Sequence, residues 1–547
     1  MQSRRRISVL VFAFVAGLAL WPSQPVHVQG VSCFVTTASG AVQGVDSGAS
    51  CAFLGVPFAA PPLAGLRWRP PQPATPWSGT LSATAPPLGC PAVFPLGSTT
   101  LQGNEDCLKM NIWTPDPMPA SPAPVIVWIH PGAFVAASAN NAPHNGRRMA
   151  ERTGAIVVAP NYRLGPFGFL AHPALTAEDS SHPSSGNYGL LDQRAALAWV
   201  RDNIAAFGGD PNNVTLGGQS AGGHSVSFHM VSPGSAGHFH RAIMQSGYAS
   251  SRVDTLAEGE ALGATFAQQL GCTIPSEVLP CLRSKTRNEL LLALPTGQQQ
   301  WAETPRISWG PIVDGLVIPD QPRTLYEAGL FAYVPLIVGA TRDEGWIYAD
   351  RSFPAGVTIE QYEAAVQTEF GTGISAEILA RYPAGDFASP KHALSQVAGD
   401  YEAVCEARRV ARLVSRNAPV YLYSFEREVA PVAGNQVIHG MDLNFVFGNN
   451  YTPPSSYVLS ADDLMLSNAQ MDFWTRFAAT GNPNLPGRDT GQAHDVWTTY
   501  HGASAKYLAL ALPTVEKRRP REAACDYWDG FFLRSLVGSV PASAPYQ

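Results

Sequence analysis

Gly218-Gln219-Ser220-Ala221-Gly222 constrains this chain more than any other stretch of its sequence. The run Asn213-Val214-Thr215-Leu216-Gly217 precedes it, and Gly223-His224-Ser225-Val226-Ser227-Phe228 follows. A strand, then Gly-x-Ser-x-Gly, then a helix is the layout of a nucleophile elbow. The turn is sharp, so its flanks need residues without side-chain bulk, and the serine oxygen stands at the carboxyl end of the strand beside the first helical amides. In a chain with 50 glycines the pentapeptide alone carries little weight. Its surroundings carry it.

Those surroundings alternate between two kinds of segment. Pro124-Val125-Ile126-Val127-Trp128-Ile129, Ala155-Ile156-Val157-Val158-Ala159, Ala242-Ile243-Met244-Gln245, Pro335-Leu336-Ile337-Val338-Gly339 and Val420-Tyr421-Leu422-Tyr423-Ser424-Phe425 read as buried parallel strands. Before the elbow strand, Leu197, Val200, Ile204 and Phe207 fall on one helical stripe, which Gly208-Gly209 and Asp210-Pro211 terminate. This alternation predicts an α/β fold, a large mostly parallel central sheet with helices on both faces and loop-rich insertions. Chemistry in such sheets sits at the carboxyl ends of strands, which is where the elbow falls.

Composition narrows the partners. The 547 residues carry 36 Lys+Arg against 42 Asp+Glu, a formal charge of -6, and contain no basic run of the kind nucleic acid recruits. Arg4-Arg5-Arg6 precedes an apolar stretch from Ile7 to Trp21 that is too short to span a bilayer comfortably. We read residues 1–30 as a signal peptide and 31–547 as one domain, exported to the periplasm or secreted, with no stable membrane insertion. Eight cysteines in an exported chain imply four disulfides. Proximity favours Cys33–Cys51, Cys90–Cys107 and Cys272–Cys281, leaving Cys405 and Cys525, although counting alone does not fix the connectivity. There is no Cys-x-x-Cys pair, so a zinc site is not indicated.

A serine hydroxyl needs a base to take its proton, and the base needs an acid to fix its tautomer. Sheets of this kind place them in the chain order serine, acid, histidine. Gly339-Ala340-Thr341-Arg342-Asp343-Glu344-Gly345 directly follows an apolar strand, so Asp343 and Glu344 both emerge at the catalytic edge. His439 stands in a loop before Phe445-Val446-Phe447-Gly448. Donors for a developing oxyanion are expected from the amide of Ala221 and from the loop His130-Pro131-Gly132-Ala133-Phe134, where Gly132 and Ala133 offer N–H groups and Pro131 has none.

With these residues in view the chain resembles the type-B carboxylesterase/cholinesterase family of α/β-hydrolases. The matching stretches are Phe53-Leu54-Gly55-Val56-Pro57-Phe58-Ala59, Glu105-Asp106-Cys107-Leu108, Asn161-Tyr162-Arg163-Leu164, Gly186-Asn187-Tyr188-Gly189-Leu190-Leu191-Asp192-Gln193 and Phe207-Gly208-Gly209-Asp210-Pro211, together with the elbow, the Asp343-Glu344-Gly345 turn and the His439 loop. They run in family order from about Cys33 to Phe532. The resemblance implies an α/β-hydrolase fold, Ser220 as nucleophile, Glu344 as acid and His439 as base. It also implies an oxyanion hole from Gly132, Ala133 and Ala221. It supports pairing Cys90 with Cys107, Cys272 with Cys281, and Cys405 with Cys525, while Cys33–Cys51 rests on proximity. Three departures stand out: Pro131 where glycine is usual, Ala133 where glycine is frequent, and Gln219 where many members carry glutamate. The last removes a negative charge beside the nucleophile and weakens the case for a cationic substrate.

The expectation is a secreted serine hydrolase that cleaves small-molecule carboxylic esters through an acyl-serine, with no cofactor and no metal. The alternatives are a lipase acting on long-chain or aggregated esters and, remotely, a non-catalytic adhesion protein on the same fold. Phe134 and Trp346 neighbour the catalytic loops and are read as pocket lining. Trp199 is read as helix packing, and Trp301 is a further aromatic candidate. His224 and His229 are read as packed helix residues, His238 and His240 as structural, and His130 as a residue that shapes the oxyanion loop. Asn213-Val214-Thr215 and Asn450-Tyr451-Thr452 match the glycosylation sequon, the first entering a core strand.

Overall fold

An eleven-stranded sheet organises the chain. The computed structural model describes residues 33–93, 100–248, 252–293, 309–451, 456–484, 496–519 and 521–536, with side chains to residue 531. The expected signal segment, Trp301 and Thr452 of the second sequon lie outside the described residues. In chain order the strands are β1 (Val45–Asp46), β2 (Ser50–Pro57), β3 (Lys109–Pro115), β4 (Ala123–Ile129), β5 (Ile156–Pro160), β6 (Gly209–Gln219), β7 (Arg241–Gln245), β8 (Leu336–Thr341), β9 (Val420–Phe425), β10 (Lys506–Leu510) and β11 (Val515–Arg518). They lie side by side as β11-β10-β9-β8-β7-β6-β4-β5-β3-β2-β1. From β5 to β10 every neighbouring pair is parallel, and antiparallel strands close both edges.

Parallel strands covered on both faces should be apolar throughout. All residues of β5 and of β8 are buried. The chain goes from β4 to β5 on one side and then returns to lay β6 on the other side of β4. That reversal is a topological switch point, where the loops after β4 and β6 diverge and leave a crevice at the carboxyl ends. The loop after β4 begins at His130 and the loop after β6 is Ser220.

Helices cover the sheet. In α1 (Tyr188–Asn203) the expected stripe is sealed, with Leu197, Val200, Ile204 and Phe207 all at 0% exposure. Its last two members lie in a tighter 3₁₀ turn, Ile204–Phe207, which ends at Gly208 with φ 84°. Trp199 packs near Phe207, with ring centroids 5.9 Å apart. The remaining helices used below are α2 (Ala221–Val231), α3 (Trp346–Ser352), α4 (Pro390–Gly399), α5 (Cys405–Val414), α6 (Leu443–Phe447), α7 (Ala461–Thr480) and α8 (Glu522–Leu536). Arg163 and Asp192, from two of the family motifs, form a buried two-pronged ion pair with both contacts at 2.7 Å. The disulfides are Cys33–Cys51, Cys90–Cys107, Cys272–Cys281 and Cys405–Cys525. Among the described residues no helix is long and apolar enough to cross a membrane.

Candidate active site

Ser220 sits between β6 and α2 with φ 56° and ψ -124°. A non-glycine residue in such a conformation costs on the order of 1–3 kcal/mol, and persists only where the surroundings over-determine it. They do so here. A Cβ on Gly218 would lie 2.4 Å from the carbonyl carbon of Gly222, and one on Gly222 would lie 2.0 Å from the oxygen of Ile129 at the end of β4. The elbow is therefore pressed against the switch point, with Ser220 itself 9% exposed.

Glu344 follows β8 and is 1% exposed. One carboxylate oxygen, Oε2, lies 2.5 Å from Nδ1 of His439. The other, Oε1, accepts from the Ser246 hydroxyl at 2.5 Å and from the Thr341 amide at 2.7 Å. Burial is the largest single influence on this carboxyl and opposes its ionisation; the charge and hydrogen bond of His439, with the bonds from Ser246 and Thr341, outweigh it and hold the carboxyl below its ordinary range. The adjacent Asp343 faces elsewhere. Its Oδ2 accepts from the amide of Val437 at 2.8 Å and pairs with Arg342 at 2.9 Å, which ties the His439 loop down without touching the imidazole. Gly345 lets this turn seat on α4, since a Cβ there would fall 2.0 Å from the Ser395 oxygen. At its other nitrogen, Nε2, His439 meets the Gln219 side-chain nitrogen at 3.2 Å. That end of the ring is thus at the last residue before Ser220.

The loop after β4 has an unusual backbone: Gly132 has φ 121°, Ala133 53° and Phe134 60°. Among the described residues the amides of Gly132, Ala133 and Ala221 donate to no protein group. Phe134, read from the sequence as pocket lining, is 0% exposed and packs edge-on to Phe169 at 5.2 Å. The ring is thus packed into the core beneath its own loop residues and presents no exposed surface. Trp346 begins α3 half-buried, its ring 4.9 Å from His392 and 5.0 Å from the Lys391 ammonium.

Two neighbours of the site escaped the sequence reading. Ser246 does not belong to any motif, yet its position one residue past β7, at the same edge as Ser220, is the signal that could have found it. Asp442, three residues after His439, is fully buried; its Oδ2 accepts from Gln245 at 2.6 Å and from Tyr423 at 3.0 Å, while Oδ1 has no partner among the described residues. Burial, then the charge of Glu344, pushes this carboxyl up to about 6, against the bonds from Gln245 and Tyr423 and the charge of His439. A folded chain that holds this proton more tightly than the unfolded one gains stability that is complete below pH 3.8 and is lost as pH rises through 6. Asp442→Asn will therefore be more stable than the parent at pH 8, by on the order of 3 kcal/mol for a shift of this size, with the gap closing towards pH 4. Urea unfolding at several pH values checks this, and a gap that does not change with pH would contradict it.

His229 and His240 have structural partners. His229 bonds the Ser235 hydroxyl at 2.8 Å and Gln193 at 2.9 Å, and His240 accepts from the Val214 amide at 3.1 Å. The one group with metal-ligand proximity among the described residues, Cys33, Cys51 and Asp116, has both sulfurs joined in a disulfide, so it offers no thiolate. In the first sequon Asn213 is engaged by Arg241 and Thr215 is buried.

Comparison with known proteins agrees with this architecture. The family described as the carboxylesterase family matches residues 32–528. An acetylcholinesterase of Bungarus fasciatus is 33% identical over 556 residues, which covers 92% of this chain and 87% of that protein. The match runs from the first disulfide to the last, through the elbow and the loops it abuts: the chain belongs to the carboxylesterase family, and it is a carboxylic ester hydrolase.

Proposed function

We propose that the protein is an exported serine esterase in which Ser220 attacks the ester carbonyl, His439 is the base and Glu344 the acid. His439 takes the Ser220 proton during attack, delivers a proton to the leaving alcohol, and then activates water to release the acid from the acyl-serine. Glu344 holds the imidazole through Nδ1, which leaves Nε2 as the basic nitrogen, and stabilises the imidazolium as it forms. The amides of Gly132, Ala133 and Ala221 receive the oxyanion. The observation that carries this reading is the 2.5 Å contact between His439 and Glu344 with the opposite ring nitrogen directed at the elbow.

Export fits the four disulfides, which persist in oxidising compartments. Small uncharged esters fit the neutral Gln219 beside Ser220. Hydrolysis of p-nitrophenyl esters from acetate to palmitate, by the parent, Glu344→Gln and Asp343→Asn, tests the assignment. We expect the parent to peak at short or medium chains, Glu344→Gln to lose roughly 10³–10⁴ in kcat, and Asp343→Asn to lose less than about tenfold. A long-chain optimum would make the enzyme a lipase. A crippled Asp343→Asn beside a mild Glu344→Gln would reassign the acid.

A further inference from the structure

In a trans peptide the carbonyl and the amide N–H point in opposite directions, so whatever grips the carbonyl also aims the N–H. Each of the three amides proposed to receive the oxyanion shares its peptide unit with a carbonyl that is gripped from behind. The Gly132 oxygen, on the unit that carries the Ala133 N–H, accepts from the amides of Val135 at 3.0 Å and Ala136 at 2.9 Å. The Pro131 oxygen, on the unit that carries the Gly132 N–H, lies 2.8 Å from Nδ1 of the His130 side chain. The Ser220 oxygen, on the unit that carries the Ala221 N–H, accepts from the His224 amide at 2.9 Å and lies 3.0 Å from Nδ1 of His224. None of these units is cis.

We infer that His130 and His224 are positioning residues of the oxyanion hole, two imidazoles that clamp the carbonyls of Pro131 and Ser220 and so aim the amides of Gly132 and Ala221. A carbonyl oxygen only accepts, so in both histidines Nδ1 carries the proton. Both rings are held in the protein interior. His130 is 1% exposed and stacks on Tyr162 at 4.4 Å, and the Tyr162 hydroxyl donates to the His130 oxygen at 3.1 Å. His224 is 8% exposed, and Gly247 makes room for its contact, since a Cβ there would lie 2.0 Å from the Ser220 oxygen and 2.9 Å from Nδ1. Burial pushes both imidazoles down to about 4, against the bonds to Pro131 and Ser220, so both are neutral donors at working pH. The two clamps are unequal. Among the described residues His130 is the sole partner of the Pro131 oxygen, whereas the Ser220 oxygen keeps the His224 amide whatever the side chain. Pro131 sharpens the need for the first clamp, because a residue without an N–H cannot be held through its own amide.

This inference rests on the reading of Ser220 as nucleophile and of these amides as the oxyanion donors. The test uses pairs with the same number and branching of heavy atoms: asparagine places a donor nitrogen at the same bond distance from the backbone as Nδ1, and leucine places a methyl there. For His130→Asn, His130→Leu, His224→Asn and His224→Leu, kcat, KM and the inhibition constant of an alkyl boronic acid would be measured with p-nitrophenyl butyrate. We expect His130→Leu to lose on the order of 10² in kcat and a similar factor in boronate affinity with KM within about twofold, His130→Asn to recover most of that loss, and His224→Leu to lose about five- to tenfold. Equal losses for asparagine and leucine would mean that the rings only fill space, and a change confined to KM would also overturn the inference. Should His130→Leu fail to fold, the His224 pair reads the same contrast. Ser220→Ala and Glu344→Gln in the same assay separate the two levels. If they are inactive while the histidine variants match the parent, the triad stands and the clamps fall; if they are active, the reading beneath falls.

Discussion

Replacing Ser220 with alanine will lower kcat on p-nitrophenyl butyrate by ~10⁴–10⁶-fold while leaving the fold and its stability unchanged. Both halves of this expectation follow from the elbow. The serine side chain makes no capping hydrogen bond to α2, so removing its oxygen breaks no helix contact. The backbone strain at φ 56° is common to serine and alanine, since both carry a Cβ, so the substitution neither relieves nor adds to it. What is lost is the atom proposed to carry the acyl group, together with the proton proposed to pass to His439. The residual rate would come from amides that still polarise a bound carbonyl towards attack by water. A Ser220→Ala protein with parental circular dichroism and melting temperature that retains a few per cent of kcat would remove Ser220 from the mechanism.

The second large effect concerns stability. Cys405 and Cys525 close a loop of 120 residues, whereas Cys272 and Cys281 close one of 9. On the chain-entropy account, removing the first bridge costs about 5 kcal/mol and removing the second about 2.5 kcal/mol. Cys405→Ala/Cys525→Ala will therefore shift the urea midpoint about twice as far as Cys272→Ala/Cys281→Ala. The position of the longer bridge adds to its weight. Both sulfurs are at 0% exposure in a cluster with Tyr362, Phe370, Tyr401 and Trp528, where α5 meets α8. The π-helical turn Asp400–Val404 immediately before α5 continues from Gly399, against which Gly345 packs. Loosening this corner will therefore lower activity as well as stability, because the same backbone seats the turn that carries Glu344. Equal losses for the two pairs would show that the bridges act through native contacts and not through the length of loop they close.

The parallel centre of the fold was open to reading from the sequence because a strand buried on both faces has only apolar residues to show. Each of the five runs identified there matches a strand to within a residue or two, from Ala123–Ile129 to Val420–Phe425. The antiparallel edges were less visible: β1 and β11 have two and four residues with mixed exposure, too short for a period to declare itself. Within the site, the order serine, acid, histidine and the strand-end placement singled out Ser220 and His439 and left Asp343 and Glu344 as rivals. The backbone separates those two, since successive side chains leave a turn in different directions. The roles of Ser246 and Asp442 were hard to read because each depends on an approach between segments far apart in the chain, to Glu344 and to Gln245; the His224 contact is local, four residues from Ser220, but no periodicity marks a side chain that turns back on a carbonyl. The packing of Phe134 on Phe169 was likewise hidden, because proximity to a loop in sequence does not say what a side chain packs against.

The sheet order has a kinetic meaning. Its parallel strands span residues 123 to 510, and the groups proposed to do the chemistry enter at 220, 344 and 439, in the segments that follow three different strands. Pairings this distant must wait for the intervening chain, and folds built from them form slowly. A nascent chain that stops short of the His439 loop has an elbow without its proposed base, and one that stops short of β10 leaves β9 as an open edge. On the proposed assignment a chain cut before the His439 loop will not hydrolyse esters, so activity reports that nearly the whole parallel sheet has been assembled.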